Sequence, residues 1–142
     1  MLSPLRCLAA TLVLLLADSL SARASDLIYV TLSNDTVVSY DVSSNDSNII
    51  AASAATFVST NLAEAWGLAF DTSGNLFVGN ADGNTISRFN SAGVYQSSIT
   101  THLSVPRGLA FDLSGNLLVA NSSDSTIVKF DPAGTFLGSI DT

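Results

Sequence analysis

The sequence contains a stretch of 33 residues that occurs twice. Gly67–Ile99 and Gly108–Ile140 align without a gap, start 41 positions apart, and are identical at 18 of their 33 positions. A repeat period of this length is typical of arrays of small structural units that bury their apolar faces against one another. The repeat therefore constrains the fold more than any other feature of the chain.

Turn signals divide each unit into four short runs with β character. In the first copy, the apolar run Leu68–Phe70 precedes an Asp-Thr-Ser-Gly-Asn turn, and Asp82-Gly83 marks a later hairpin turn. Asp side chains accept backbone N–H groups in tight turns, and Gly tolerates the positive φ that closes them. No run has the apolar spacing at three and four positions that an amphipathic helix needs. The pattern predicts an all-β fold built from four-stranded antiparallel blades, as in a β-propeller.

We divide the chain into a leader and three units. The first unit is the faintest: Asp26–Val30 aligns with Asn75–Gly79 and Thr36–Asp41 with Thr85–Asn90, both at an offset of 49, and the leader occupies the place of its first strand. The chain is therefore predicted to form two full blades and a partial first blade, which is an incomplete ring. The predicted units are repeat 1 at about 26–58, repeat 2 at about 63–99 and repeat 3 at about 104–140.

Residues 1–24 have the pattern of a cleaved export signal. Arg6 precedes the apolar run Leu8–Leu16, and Ala22-Arg23-Ala24 provides the small residues that a signal peptidase reads, which places the cut before Ser25. The run is too short to span a bilayer, which takes about 20 apolar residues. We therefore predict a secreted or periplasmic protein without a membrane span.

The cysteine content of the mature chain bears on its disulfides, and its charge excludes some classes of binding partner. Cys7 is the only cysteine and lies in the leader, so the mature chain is expected to form no disulfide. The whole chain carries a net charge of −7, and the mature part has three basic and eleven acidic residues, a net charge of −8. Binding to nucleic acids or to anionic membranes requires basic surface, so neither is expected as a partner.

The second copy of the repeat resembles a known family. Its sequence from Pro106 to Ile140, PRGLAFDLSGNLLVANSSDSTIVKFDPAGTFLGSI, is similar to an NHL repeat in its Pro-x-Gly-Leu-Ala start, its Asp-x-x-Gly-Asn-Leu turn and its Ile-x-x-Phe strand. The resemblance implies blades similar to those of the six-bladed NHL, gluconolactonase-like and streptogramin-lyase-like propellers. Such propellers usually close with five or six blades. The chain is therefore either a fragment or a half-ring that self-associates to close the ring.

One face of the blades is expected to gather the candidate ligand-binding residues. In a four-stranded blade, the loop before the first strand and the loop between the second and third strands lie on the same side. Trp66 and Arg107 occupy equivalent positions there, and both residue types are frequent binding anchors. His102 is the only histidine and Glu64 the only glutamate. A histidine that acts as a general base needs a partner that orients it, and Glu64, one blade away, is the possible partner. The candidates, none of which we assign a catalytic role, are Glu64, Trp66, Asn80, Asp82, His102, Arg107, Asn121 and Asp124.

The acidic turns raise the question of a metal site. Asp71 and Asp112 open equivalent turns, but the alternating acidic ligands of a calcium loop are missing, so both are interpreted as turn-capping carboxylates. We expect no cofactor and no metal; the alternative is a divalent cation shared by Asp82 and Asp124. Three Asn-x-Ser/Thr triplets match the glycosylation pattern, at Asn34, Asn45 and Asn121.

Three functions are consistent with the sequence. The leading hypothesis is an exported, non-catalytic NHL-repeat propeller, or a fragment of one, that acts as a binding or scaffold module for an unidentified protein or small polar ligand. The second is a fragment of a metal-dependent propeller hydrolase or lyase, similar to gluconolactonases or streptogramin lyases. The third is a truncated gene product without an independent function. Because the recurring residues are explained by turn geometry, the sequence favours a protein that is not an enzyme.

Overall fold

The computed structural model describes residues 11–14, 27–41 and 54–142, and all regular structure within them is β. The strands form three four-stranded antiparallel sheets, each in chain order. We call them blade 1 (β1–β4), blade 2 (β5–β8) and blade 3 (β9–β12). The predicted all-β fold of blade-type sheets is confirmed. The strands are β1 Thr11–Leu14, β2 Leu27–Leu32, β3 Thr36–Asp41, β4 Ala54–Val58, β5 Ala65–Phe70, β6 Leu76–Asn80, β7 Thr85–Phe89, β8 Tyr95–Ile99, β9 Pro106–Phe111, β10 Leu117–Asn121, β11 Thr126–Phe130 and β12 Phe136–Asp141.

Strand β1 comes from the segment that the sequence predicts to be the leader. It pairs antiparallel with β2, with Thr11 opposite Thr31 and Leu14 opposite Ile28. It thus forms the first strand of blade 1, the position that the repeat pattern assigns to the leader. Cys7 and the predicted cut before Ser25 lie outside the described residues.

The offset of 49 between blades 1 and 2 is correct for the third strand but wrong by one residue for the second. Ile28 pairs with Tyr40 as Leu76 pairs with Phe89, which gives an offset of 48 for β2. The cause is the β2–β3 turn, which is one residue shorter than the β6–β7 turn. A shift of one residue moves every side chain of a strand to the opposite face. Tyr29 therefore faces blade 2, where it packs against the core.

The apolar core lies between the blades. Side chains alternate along a strand, so Phe77 and Val78 of β6 point to opposite faces of blade 2 and enter different clusters. We call the face of a blade that points toward the following blade its leading face, and the opposite face its trailing face. Between blades 1 and 2 the buried residues are Val37, Val58, Leu68, Leu76, Val78 and Phe89. Between blades 2 and 3 they are Phe77 and Ile86 of the leading face of blade 2, and Leu117, Val119, Val128 and Phe130 of the trailing face of blade 3.

The first two strands of blade 2 approach the first strand of blade 3 so closely that glycine is required. A Cβ atom on Gly67 would collide with the backbone carbonyl oxygen of Arg107. A Cβ atom on Gly79 would lie 2.9 Å from the carbonyl oxygen of Pro106. The repeat glycine at position 67 is thus explained by the packing of the next blade against it.

The repeated Asp and Asn residues close the turns. The Asp71 Oδ1 atom accepts the N–H groups two and four residues further on, both at 2.9 Å. Asp112, Asn90 and Asp131 make the same pair of contacts in their own turns. The interpretation of Asp71 and Asp112 as turn-capping carboxylates is confirmed.

Each of the two turn carboxylates also meets a cation from the third strand of its blade. The Lys129 Nζ atom lies 2.8 Å from Asp112 Oδ2, and an Arg88 guanidinium nitrogen lies 3.8 Å from Asp71 Oδ2. The ammonium group of Lys129, followed by hydrogen bonds from Asn116, holds the pKa of Asp112 far below its usual value. The ion pair therefore reinforces the turn only while Asp112 is ionised.

Candidate functional site

Two kinds of loop share one edge of the blades. The N–H of Ala81, in the β6–β7 turn, donates to the carbonyl oxygen of Glu64, in the loop before β5, at 3.0 Å. In blade 3, the N–H of Ser122 donates to the carbonyl oxygen of Val105 at 3.1 Å. The loops before the first strands and those between the second and third strands therefore lie side by side, as the sequence predicts. We call this the loop edge; it comprises loop residues 59–64, 81–84, 100–105 and 122–125, together with the first two residues of β5 and of β9, which include Trp66 and Arg107.

Two of the eight candidates, Asn80 and Asn121, are buried and bind the chain itself. Asn80 is 2% exposed; its Oδ1 atom accepts the N–H of Ala63 at 3.2 Å, and its amide nitrogen donates to Thr85 and Ser87 at 3.0 and 2.9 Å. Asn121, 3% exposed, makes the equivalent contacts with the N–H of Ser104 and the hydroxyl of Thr126, and its amide also donates to the carbonyl oxygen of His102. Both side chains fasten the loop that leads into their own blade. They position the loop edge and do not face solvent.

Trp66 and Arg107 are brought together at the starts of two neighbouring first strands. The guanidinium carbon of Arg107 lies 4.5 Å from the centroid of the Trp66 ring. Arg107 is exposed and Trp66 is half-buried. A cation over an indole ring at an exposed site contributes about 0.5–1 kcal/mol. The two side chains form an aromatic and cationic surface that spans blades 2 and 3, which we call the Trp–Arg pair.

Three exposed carboxylates, of Glu64, Asp82 and Asp124, lie in the same set of loops. Asp124 accepts a hydrogen bond from the hydroxyl of Thr126 at 2.8 Å. Within the described part of the chain, no group of three or more His, Cys, Asp or Glu side chains is arranged to hold a metal ion. A cation shared by Asp82 and Asp124 stays a prediction.

His102 stacks on an aromatic ring that the sequence analysis did not single out. Its ring lies parallel to that of Phe136, with 3.8 Å between centroids and 4° between planes. Its carbonyl oxygen accepts the amide of Asn121 at 3.1 Å. Among the hydrogen bonds of the described residues, none joins His102 to Glu64. The pairing of His102 with Glu64 as a base and its partner stays a prediction.

A pair of polar residues that the sequence analysis also missed connects successive blades. The Asp35 Oδ1 atom accepts the N–H of Ala65 at 3.1 Å, and the Asn84 Oδ1 atom accepts the N–H of Val105 at 2.6 Å. Both residues end the turn before a third strand, with φ of 56° and 47°, and Ser125 has the same place in blade 3 with φ of 56°. The signal in the sequence is their shared position, directly before the Thr that begins each third strand.

The structure separates the glycosylation triplets. The Asn34 side chain is exposed, whereas that of Asn121 is buried and fully hydrogen-bonded. Asn45 lies outside the described residues. Because a glycan needs an exposed side chain, Asn121 is excluded as an acceptor in the folded protein.

The chain resembles solved structures, although no family model and no curated protein matches it. It is similar to a chain of the nidogen/laminin complex, with 19% identity and a TM-score of 0.65 over 80% of this chain and 44% of the other. It is similar to streptogramin B lyase, with 18% identity and a TM-score of 0.66 over 82% and 37%. It is also similar to the glutaminyl cyclase of Myxococcus xanthus, with 16% identity and a TM-score of 0.59 over 82% and 49%.

The structure and these likenesses define the class of the protein. Its structural neighbours are β-propellers, including streptogramin-lyase-like ones, in agreement with the resemblance of the repeat to NHL blades. The chain spans between a third and a half of the solved chains to which it is similar. No helix among the described residues is long and apolar enough to cross a membrane. The described residues are therefore three blades of the β-propeller type.

Proposed function

We propose that the protein is an exported, non-catalytic propeller, or part of one, whose loop edge binds a protein partner. The observation that carries this proposal is the Trp–Arg pair, with the Arg107 guanidinium 4.5 Å from the Trp66 ring on an edge exposed to solvent. Trp and Arg are the residue types most enriched among the few side chains that dominate binding energy. An aromatic and a cationic group held together therefore offer an anchor for a partner.

The loops around the pair are fixed before any partner arrives. Asn80 and Asn121 hold the two inter-blade loops through buried hydrogen bonds. A surface that is already ordered loses less conformational entropy on binding, so more of the contact energy contributes to affinity. This rigidity supports a role in recognition.

The charge of the loop edge favours a partner that carries basic groups. Glu64, Asp82 and Asp124 outnumber the single cation Arg107, and the whole chain has a net charge of −7. Complementary charge speeds encounter and excludes partners of like charge. The likeness to a chain of the nidogen/laminin complex supports a protein as the partner, since that propeller was solved in a complex between proteins.

Selection of peptides from a random library displayed on phage tests the proposal. We expect the selected peptides to be rich in Lys, Arg and aromatic residues and to bind less tightly as salt rises, because the screening length shortens. Trp66→Ala should weaken their binding at least about tenfold, as for a central anchor, and Arg107→Ala should weaken it less. Leu113→Ala is the control, because Leu113 is an exposed residue of the β9–β10 turn, away from the loop edge.

Peptides that bind Trp66→Ala and Arg107→Ala as tightly as the wild type would place the binding surface elsewhere and overturn the proposal. Failure of the library to yield any binder would also count against it. The hydrolase or lyase hypothesis stays a prediction, because a likeness to streptogramin B lyase at 18% identity extends to the fold only. The truncated-product hypothesis also stays a prediction.

A further inference from the structure

Blade 3 carries an apolar leading face that is open to solvent. Two adjoining grooves, of about 330 and 320 Å³, run across it and share Leu118 and Ile127. Ile140 at its outer border is 63% exposed. A contiguous exposed apolar face is a candidate for an interface. Ala110, Ala120 and Leu137 also line the grooves.

The open face repeats a face that is covered within the chain. Ala110, Leu118, Ile127 and Ile140 occupy the places that Ala69, Phe77, Ile86 and Ile99 occupy in blade 2, 41 residues earlier. In blade 2 these positions are buried or partly buried under blade 3. What covers them is the trailing face of a blade, formed by Leu117, Val119, Val128 and Phe130. The equivalent face of blade 3 is therefore suited to the same kind of cover.

Blade 1 of the same chain has side chains of this kind at the corresponding places. In blade 3, Leu117 pairs with Phe130 and Val119 pairs with Val128. In blade 1, the equivalent pairs are Ile28 with Tyr40 and Val30 with Val38. The trailing faces of blades 1 and 3 thus share an aliphatic–aromatic pair followed by an aliphatic pair. All four blade 1 residues belong to β2 and β3, so the proposed contact does not depend on β1, which the predicted cut before Ser25 would remove.

We propose that the leading face of blade 3 binds the trailing face of blade 1 from a second copy of this chain. The contact is head to tail, and two such contacts related by a two-fold axis close a ring of six blades from two copies of three. The chain covers 37% to 49% of the three solved chains described above, so two copies supply most of the length of such a chain. Closure would also cover the open leading face of blade 3, as blade 3 covers the leading face of blade 2.

Light scattering on a sizing column tests this with the full chain. We expect the wild type to elute with twice the mass of the chain, and Ala110→Arg to elute with the mass of one chain. Ala110 is exposed, so the arginine adds bulk and charge to the open face without displacing a buried side chain. Ile140→Asp, at another exposed position of the face, should also give a monomer, and Leu113→Asp in the β9–β10 turn should remain a dimer. Far-ultraviolet circular dichroism checks that all variants keep their β structure.

Three results would overturn the proposal. The first is a wild type that stays monomeric at high protein concentration. The second is a mass that grows continuously with concentration, since this indicates an open filament rather than a closed ring. The third is efficient crosslinking of Leu118→Cys to itself by a short bis-maleimide in a Cys7→Ser background. That result would show two leading faces packed against each other.

Discussion

Ile86 and Ile127 are the same residue at the same place in consecutive blades, yet their surroundings differ. Ile86 is 0% exposed because blade 3 covers the leading face of blade 2. Ile127 is half-buried and lines both grooves on the open face of blade 3. The repeat thus specifies which apolar side chains lie on the leading face of a blade. Whether that face becomes part of the core depends on whether another blade covers it.

The glycines give the same comparison in the backbone. Gly67 is held against the carbonyl oxygen of Arg107, whereas a Cβ atom on Gly108 would meet nothing closer than the Cβ of Ala120, at 3.4 Å. Packing thus requires a glycine at this position of the repeat in blade 2, at Gly67, but not in blade 3, at Gly108. A further blade over Gly108 would restore that requirement.

The largest effect is expected from breaking this backbone contact. Gly67→Ala should lower the free energy of unfolding by about 3 kcal/mol, because overpacking forces the first strands of blades 2 and 3 apart. Gly108→Ala should change it by less than about 0.5 kcal/mol under conditions where the chain is monomeric. Urea unfolding of both variants measures the difference. Equal losses at the two positions would show that the glycine serves the blade itself rather than its neighbour.

A smaller effect is expected from the polar connection between blades. Asn84→Gly removes the acceptor for the N–H of Val105 but keeps a residue that tolerates the positive φ of 47°. We expect a loss of about 1 kcal/mol in the free energy of unfolding, the usual contribution of one hydrogen bond.

Ser125→Gly is the matched control for this connection. Ser125 has the same conformation, with φ of 56°, but no following blade in the described chain for its side chain to bind. Glycine relieves strain there, so the variant should be as stable as the wild type or slightly more stable under monomeric conditions. If both glycine variants lose the same stability, the hydrogen bond from Val105 contributes nothing.

The sequence predicts the blade type because the same turns recur. Asp71 and Asp112 open their turns with the hydrogen bonds expected of them, and the strands lie between these turns. It mispredicts the register of blade 1 by one residue in the second strand. A single gap-free offset that fits the third strand cannot detect a turn that is one residue shorter before it.

The candidate site was predictable as a region but not residue by residue. Turn positions predict that the loops share an edge, and the equivalence of Trp66 and Arg107 predicts their proximity. The same reasoning cannot distinguish a polar side chain that faces solvent from one that binds a neighbouring loop. Asn80 and Asn121 belong to the second group because the loop that leads into each blade folds back over them. Such contacts depend on tertiary packing.

The central claim, that Ile127 lies on an interface like the one that covers Ile86, is tested most directly by unfolding at two protein concentrations. Ile86→Ala should cost about 3 kcal/mol at both concentrations, since its cover is part of the same chain. Ile127→Ala should cost about 1 kcal/mol when the chain is dilute, because its side chain is only half-buried. When the chain is concentrated, the cost should rise toward that of Ile86→Ala as association stabilises the wild type. A cost for Ile127→Ala that stays small and unchanged at every concentration would contradict the account.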